Sequence, residues 1–136
     1  MRRYLLDTGI VGDYLNRRNG VYERARIEAA RGNRVGIGVP VLAELWYGVE
    51  FSTTRDRNAD LLRRNLSDFV IWPFDVPAAE EYGRLSAELR RLGRTMQVPD
   101  VMIAAIAVSL GKTTVVSKDS DLSAVPGLTV ENWAAE

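Results

Sequence analysis

Two patterns of apolar and polar residues alternate along the chain. Short runs that are apolar throughout, or at every second position, predict strands at residues 3–7, 35–39, 70–74, 113–116 and 128–130. The intervening segments have apolar residues at helical spacing and predict helices at residues 10–16, 21–31, 41–49, 55–68, 77–92, 100–110 and 121–124. Thr8 is placed to cap the first helix, and we expect residues 93–99 to form a loop.

This alternation of strands and helices favours an α/β fold. We expect a central, mainly parallel sheet covered by helices. A length of 136 residues corresponds to one domain, so residues 1–136 are expected to fold as a single unit. Ligands of open parallel sheets bind at the carboxyl ends of the strands. The residues that follow each strand are therefore the first candidates for function.

The amino-acid composition removes many kinds of active site. Cysteine and histidine are both absent, which excludes a disulfide, a Cys/His zinc site, a cysteine nucleophile and a Ser-His-Asp triad. Proton and metal chemistry must therefore rest mainly on Asp and Glu. The formal net charge is zero, so bulk charge does not indicate a strongly basic nucleic-acid-binding domain. Of the 18 cationic residues, however, 16 are Arg, which suits bidentate phosphate binding.

Four carboxylates stand in unusually apolar surroundings. Asp7 ends the first strand, Asp119 follows the fourth, Glu44 is the single charge between positions 39 and 48, and Asp100 begins an apolar helix. Each has a structural interpretation: a helix cap or first-turn acid for Asp7 or Asp100, a turn for Asp119 or Asp121, an outward-facing position for Glu44. Together they predict a cluster at one sheet edge, whose mutual repulsion requires a cation.

A cluster that offers only oxygen ligands selects a hard metal ion. Mg²⁺ or Mn²⁺ fits best, and Mg²⁺ usually takes one or two carboxylates together with water and substrate phosphate oxygens. The chemistry that suits such a site is metal-assisted hydrolysis of a phosphodiester. We expect the ion to activate a water molecule and to offset negative charge in the transition state.

An ordered set of short sequence words resembles the PIN-domain nucleases, and in particular the VapC-type ribonuclease toxins of bacterial toxin–antitoxin pairs. The set covers nearly the whole chain. Its members are residues 4–8 (YLLDT), 43–45 (AEL), 47–48 (YG), 93–94 (GR), 99–105 (PDVMIAA), 117–122 (SKDSDL), 125–128 (VPGL) and 131–133 (ENW). No single word is specific, but the set in this order is.

The resemblance implies a Rossmann-like α/β/α sandwich, the PIN domain, and an Mg²⁺- or Mn²⁺-dependent endoribonuclease. The catalytic and metal-binding acids would be those that align at Asp7, Glu44, Asp100 and Asp119. The resemblance also implies a toxin whose RNA cleavage is neutralised by a cognate antitoxin, with the antitoxin's tail filling the groove. Candidates for holding the RNA backbone are Arg90, Arg91, Arg94 and Lys118.

Three positions near the predicted site can be compared with the pattern of the family. Thr8 aligns with a hydroxyl residue that steadies the first acid. Gly9 replaces an Asn that is common after Asp-Thr, and this replacement loosens the turn. The fourth acid varies most in the family, so either Asp119 or Asp121 fits, and we favour Asp119 because it lies nearer the strand end.

Two other enzyme-like interpretations use the same acids. Residues 5–9 (LLDTG) match the catalytic word of aspartic proteases, but those enzymes are nearly all β, whereas this chain has at least four convincing helical stretches. A receiver-like phosphoacceptor domain also binds Mg²⁺ at strand ends, yet no acid pair follows Leu6, and the acceptor candidate Asp75 lies between Pro73 and Pro77. A non-enzymatic binding module would leave Glu44 and Asp100 unexplained.

Targeting and assembly are also predicted from the sequence. No segment has the apolar length of a signal peptide or a membrane span, so we expect a cytoplasmic protein that does not contact membranes. We expect a homodimer, for which apolar surface is offered by Leu45, Trp46, Tyr47, Phe51 and Trp72.

Overall fold

A five-stranded parallel sheet forms the centre of the protein, which is described by a computed structural model over residues 1–134. The strand order is β3-β2-β1-β4-β5. The strands are β1 (Arg3–Leu6), β2 (Arg34–Gly38), β3 (Val70–Trp72), β4 (Thr113–Val116) and β5 (Thr129–Glu131). The predicted α/β class with a parallel sheet is confirmed, and each predicted strand is present.

Seven α-helices within the described residues connect these strands and flank the sheet. They are α1 (Thr8–Leu15), α2 (Val21–Ala30), α3 (Val39–Phe51), α4 (Arg55–Asn65), α5 (Val76–Arg91), α6 (Val98–Leu110) and α7 (Ser120–Ser123). A single 3₁₀ turn, Leu66–Asp68, follows α4. None of the helices within residues 1–134 combines the length and the hydrophobicity that a membrane-spanning segment requires.

The strand order places a topological switch point between β1 and β4. The chain leaves β1 toward β2 and leaves β4 toward β5, so the two connections diverge and open a crevice between the carboxyl ends of the two strands. Leu6 is paired with Val116 in register, and the Asp7 N–H donates to the Val116 carbonyl at 3.0 Å. The residues that follow β1 and β4 therefore meet at this crevice.

The core explains why β1 and α6 are so apolar in sequence. Residues 4–6 of β1 are at most 1% exposed, and residues 103–107 of α6 are buried as well. Gly36 in β2 allows a close approach to β3, because a Cβ at this position would lie 2.2 Å from the Val70 carbonyl oxygen. This close packing is why β2 carries glycine where a strand usually carries a β-branched residue.

The helix starts differ from the sequence-based expectation at the two places that matter most. Asp7, not Thr8, caps α1, because the Asp7 Oδ1 accepts the Ile10 N–H at 2.9 Å. Helix α6 begins at Val98 with Pro99 in its first turn, where its missing N–H costs nothing. Asp100 is therefore the third residue of α6 and not its cap.

Other boundaries shift by a few residues, and β3 ends before Pro73, which lacks the N–H that a strand requires. Asp75, the acceptor candidate of a receiver domain, instead caps α5, its Oδ1 accepting the Ala78 N–H at 3.0 Å. The Asp-Thr-Gly word opens a helix on an α/β fold, which excludes the all-β protease interpretation.

The apolar surface expected for a homodimer is smaller than the sequence indicates. Trp72 is only 7% exposed and belongs to the core, so its assignment to the surface was wrong. Trp46 is half-buried, with the Arg63 guanidinium 5.1 Å from its ring centre. Tyr47 and Phe51 remain exposed, and their rings stack at 5.9 Å. The homodimer stays a prediction that rests on these two residues of α3.

Candidate active site

Asp7 lies at the centre of the crevice between β1 and β4. It directly follows the last residue of β1 and its side chain caps α1, so the carboxylate is fixed by the structural elements on either side of it. The Oδ2 atom accepts a short hydrogen bond from the Ser117 hydroxyl. Burial raises the pKa of Asp7, the hydrogen bonds from Ser117 and Ile10 lower it, and the charge of Asp119 raises it again. The net effect is a raised pKa, because burial dominates.

Ser117 connects Asp7 to Asp119. It is not among the site residues predicted from the sequence. It is 2% exposed, donates to Asp7, and accepts the Asp119 N–H at 2.9 Å. The available signal was its place directly after β4, within the same short word as Asp119. Ser117 thereby fixes the position of Asp119 relative to Asp7.

Glu44 reaches the site from α3, the helix that follows β2. Its Oε1 accepts a hydrogen bond from the Thr8 hydroxyl at 2.8 Å, and both residues are partly buried. The hydroxyl at Thr8 was expected to steady the first acid. It binds the second acid instead, and Ser117 takes the role at Asp7 because it approaches from the neighbouring strand.

The negative charges of the other three predicted acids affect the pKa of Asp100. Its pKa is raised by burial and then by neighbouring carboxylates, which are, in decreasing order of effect, Asp119, Asp7, Glu44 and Asp121. Because charge effects weaken with distance, this ordering places the other three predicted acids within electrostatic reach of Asp100. Asp119 acts on both Asp7 and Asp100, and its effect on Asp100 exceeds that of Asp121.

A cavity of about 350 Å³ gives access to this acidic region. Asp100, Asp119 and Asp121 line one part of it, and the segment from Thr95 to Val98 lines the rest. Asp119 also caps the short helix α7, its Oδ1 accepting the Asp121 N–H at 2.9 Å. Asp100, Asp119 and Asp121 therefore face an open space in which a phosphate group has room to bind, whereas Asp7 and Glu44 do not line this cavity.

An adjoining cavity of about 490 Å³ lies between α5 and α6 and carries positive charge. Arg90 and Arg94 line it, together with the ring of Tyr82. It shares Thr95, Met96 and Val98 with the acidic cavity, so the two cavities adjoin along this segment. Within residues 1–134, neither arginine forms an ion pair with a carboxylate. Both guanidinium groups are therefore available for phosphate.

A larger cavity of about 560 Å³ lies at the opposite edge of the sheet. It is lined by residues that precede or begin the strands, among them Met1, Arg2 and Thr113. None of the predicted acids reaches it. Cavity size alone would therefore identify the wrong edge of the sheet.

The acidic site fits a hard divalent cation by its chemistry. Among residues 1–134, no three acidic side chains form a ready-made metal cage. Mg²⁺ does not require one, because it keeps several water ligands and commonly binds through one or two carboxylates plus substrate phosphate. The raised pKa of Asp100, caused in part by four neighbouring carboxylates, shows an excess of negative charge that a cation would relieve.

Comparison with known proteins agrees with this fold. The PIN domain family model matches residues 4–128. Ribonuclease VapC2 of Rickettsia felis is 32% identical over 130 residues, which cover 96% of this chain and 97% of that protein. The tRNA(fMet)-specific endonuclease VapC of Shigella flexneri is 32% identical over 135 residues, which cover 98% of this chain and 100% of that protein.

A solved structure shows the same architecture. The crystal structure of VapBC2 from Rickettsia felis bound to a DNA fragment from their promoter contains a chain with a TM-score of 0.89 and 31% identity, covering 96% of this chain and 98% of that one. The parallel sheet of this order, together with the family match over residues 4–128, defines a PIN-type fold. The chain belongs to the PIN-domain family, and the relatives described above are VapC proteins. The predicted family membership is confirmed.

Proposed function

We propose that this protein is a divalent-metal-dependent endoribonuclease that acts as a toxin and is neutralised by a cognate antitoxin. The observation that carries the proposal is the convergence of four acids on the crevice between β1 and β4, where Asp100 receives the charge of the other three. The family is generally dependent on divalent metal ions. The names of two relatives, a ribonuclease and a tRNA-specific endonuclease, support RNA as the substrate class.

The four acids would share the task of holding the metal ion in this mechanism. Asp7, Asp100, Glu44 and Asp119 would hold Mg²⁺ or Mn²⁺, and the bound ion would supply Lewis-acid activation of water and neutralisation of phosphate charge. Ser117 and Thr8 keep Asp7 and Glu44 oriented toward the crevice. The order of charge effects on Asp100 supports Asp119 over Asp121 as the fourth acid.

The groove beside the acids offers a path for the RNA chain. Arg90 and Arg94 would bind backbone phosphates on the side of α5 and α6, since neither is committed to an ion pair within the described residues. The ring of Tyr82 would give a base an apolar surface in the same cavity. Such contacts position RNA without reading its sequence.

The antitoxin would bind the same groove. The solved relative from Rickettsia felis is a VapBC2 assembly bound to promoter DNA, which supports a VapB-type partner for this chain. The acidic crevice makes a basic side chain of the partner the natural occupant of the site when the metal is absent.

RNA cleavage by purified protein, freed of any antitoxin, tests the proposed activity. Mg²⁺ or Mn²⁺ should support cleavage of a susceptible RNA, and EDTA should stop it. Asp7→Asn and Asp100→Asn should each lower the rate by about a hundredfold or more, because each removes charge from the metal-binding region. Asp60→Asn, which removes an exposed carboxylate of α4, is the matched control and should cleave normally.

Cleavage that persists in EDTA would reject the metal mechanism, and full activity of Asp7→Asn would reject the site. Growth of cells expressing the chain gives a second readout. Wild type should arrest growth, and Asp7→Asn at the same soluble level should not. Arrest that is equal for both proteins would show that toxicity does not depend on the site.

A further inference from the structure

An ion pair in which only the acid is buried lies beside the acidic site. Asp13 of α1 is 6% exposed, and its Oδ2 accepts hydrogen bonds from Lys118 Nζ at 2.9 Å and from Asn19 Nδ2 at 3.1 Å. Burial raises the pKa of Asp13, but the hydrogen bonds from Lys118 and Asn19 outweigh it, so that the pKa is lowered overall. Asp13 is therefore ionised at neutral pH, and it keeps Lys118 in one position.

Lys118 is placed between two of the proposed metal-binding acids. It follows Ser117, which donates to Asp7, and precedes Asp119. A Cβ added at Gly9 would lie 3.8 Å from Lys118 Cε and 3.9 Å from Asp7 Oδ1. Lys118 and Asp7 thus border the same small space above Gly9, and the positive charge of Lys118 lowers the pKa of Asp7.

The ammonium group is only partly used by this ion pair. The Lys118 side chain is 44% exposed and has a single hydrogen-bond acceptor, Asp13, among the described residues. An ammonium has three N–H donors, so two remain free on the solvent side. A compact cation held beside a group of carboxylates repels metal ions and attracts phosphate.

We propose that Lys118 is a resident cation of the acidic site that contacts a phosphate of the bound RNA, and that Asp13 is the positioning residue that holds it there. The RNA contact rests on the proposed function, whereas the effect on metal binding does not. Gly9 belongs to the same arrangement, because it leaves the space between Lys118 and Asp7 open.

Metal binding without RNA tests the electrostatic half of this inference. Mn²⁺ is titrated into metal-free protein and followed by calorimetry. Lys118→Met should bind Mn²⁺ about three- to tenfold more tightly than wild type, because one repelling charge is gone. Lys112→Met is the matched control, since it removes the other lysine charge of the chain at the opposite edge of the sheet. It should leave the affinity unchanged, and unchanged or weaker binding by Lys118→Met would overturn the inference.

RNA binding in EDTA tests the phosphate contact. Lys118→Met should reduce the slope of log K against log salt by about 0.7–0.9, the loss of one phosphate contact. The other lysine of the chain, Lys112, precedes β4 at the opposite sheet edge, so Lys112→Met should keep the wild-type slope. A wild-type slope for Lys118→Met would exclude the contact while leaving the ribonuclease proposal intact.

The role of Asp13 is separated from a purely structural one by a double-mutant cycle. Asp13→Asn should raise the KM for RNA cleavage in the wild-type background and have no further effect on KM in the Lys118→Met background. An equal effect in both backgrounds would show that Asp13 does not act through Lys118. If Asp13→Asn fails to fold, the two Lys118→Met measurements still decide whether Lys118 is the resident cation.

Discussion

Ser117 shows how much of this site depends on a single hydroxyl. It is buried, donates to Asp7 and accepts from the Asp119 backbone, so it links the carboxyl ends of β1 and β4. The hydrogen bond to Asp7 also lowers the pKa of that acid against the effect of burial. One residue therefore controls both the position and the ionisation of the central carboxylate.

Replacing Ser117 with Ala should change both properties. Stability should fall by about 1–3 kcal/mol, because a buried hydrogen bond to a charged group is lost. The pKa of Asp7 should rise further, so the acid limb of the cleavage pH profile should move to higher pH. Thermal unfolding and a pH–rate profile measure the two effects. Ser109→Ala removes a comparable helix hydrogen bond to the Ile106 carbonyl and should leave the profile in place; an unshifted profile for Ser117→Ala would refute the role.

At the scale of elements, the sequence predicts the helices and strands well and their starts less well. A pattern sustained over ten or more residues identifies α5 by its periodicity and α6 by its continuous apolar run, whereas a start depends on one capping choice. Asp7 caps α1 although Thr8 was also suitable, and α6 begins after Gln97, whose side chain makes no capping hydrogen bond. The correct start of α6 places Asp100 in the first turn and so changes its geometry.

The sequence predicts the acids of the candidate site but not the side-chain contacts that hold them. The four acids are visible because charge is rare in apolar segments. The links between Ser117 and Asp7, 110 residues apart, and between Lys118 and Asp13, 105 residues apart, join side chains that have no local signature. Such pairings follow from strand order, which residue patterns do not encode.

Two glycines in regular elements should respond oppositely to alanine. In α5, a Cβ at Gly83 meets nothing within 4 Å, so Gly83→Ala should stabilise the protein by about 0.5–1 kcal/mol through helix propensity. In β2, Gly36→Ala should destabilise it by about 1–3 kcal/mol, because the methyl would overlap the Val70 carbonyl. Thermal denaturation should show shifts of about 2–6 °C per kcal/mol; equal shifts of the same sign would contradict the packing described for β2.

At the scale of the whole molecule, the net charge is zero, yet two groups of acids have pKa values shifted in opposite directions. Asp7 and Asp100 have raised pKa values at the crevice, whereas Asp13 and Glu28 have lowered ones beside cationic partners. The first group binds protons more tightly in the folded protein than in the unfolded chain, so its contribution to stability falls as pH rises. Asp13 and Glu28 bind protons less tightly in the folded protein than in the unfolded chain. Their contribution to stability is therefore lost as pH falls through their lowered pKa values.

Metal-free protein should therefore gain stability as pH falls from neutrality toward the ordinary carboxyl pKa of 3.8, until the second group protonates. Asp100→Asn should show a smaller gain and should melt no lower than wild type at neutral pH in EDTA, because it removes repulsion. Mg²⁺ or Mn²⁺ should raise the melting temperature of wild type by mass action and that of Asp100→Asn much less. Melting curves measured across pH, with Asp60→Asn as control, test whether the site acids repel one another. A wild type whose melting temperature does not change with Mg²⁺ or Mn²⁺ would contradict a charge-crowded site.

The separation of the acids along the chain has a consequence for protein synthesis. Asp7 follows the first strand made and Asp119 comes after the fourth, yet β1 and β4 are neighbours in the sheet. A ribosome that adds about 5–20 residues per second needs on the order of ten seconds to travel between them. During that interval the nascent chain holds the early acids without their partners, and β1 lacks the strand that must pair with it. The proposed metal site is therefore incomplete on a half-made chain, and it can assemble near the ribosome only after β4 has paired with β1.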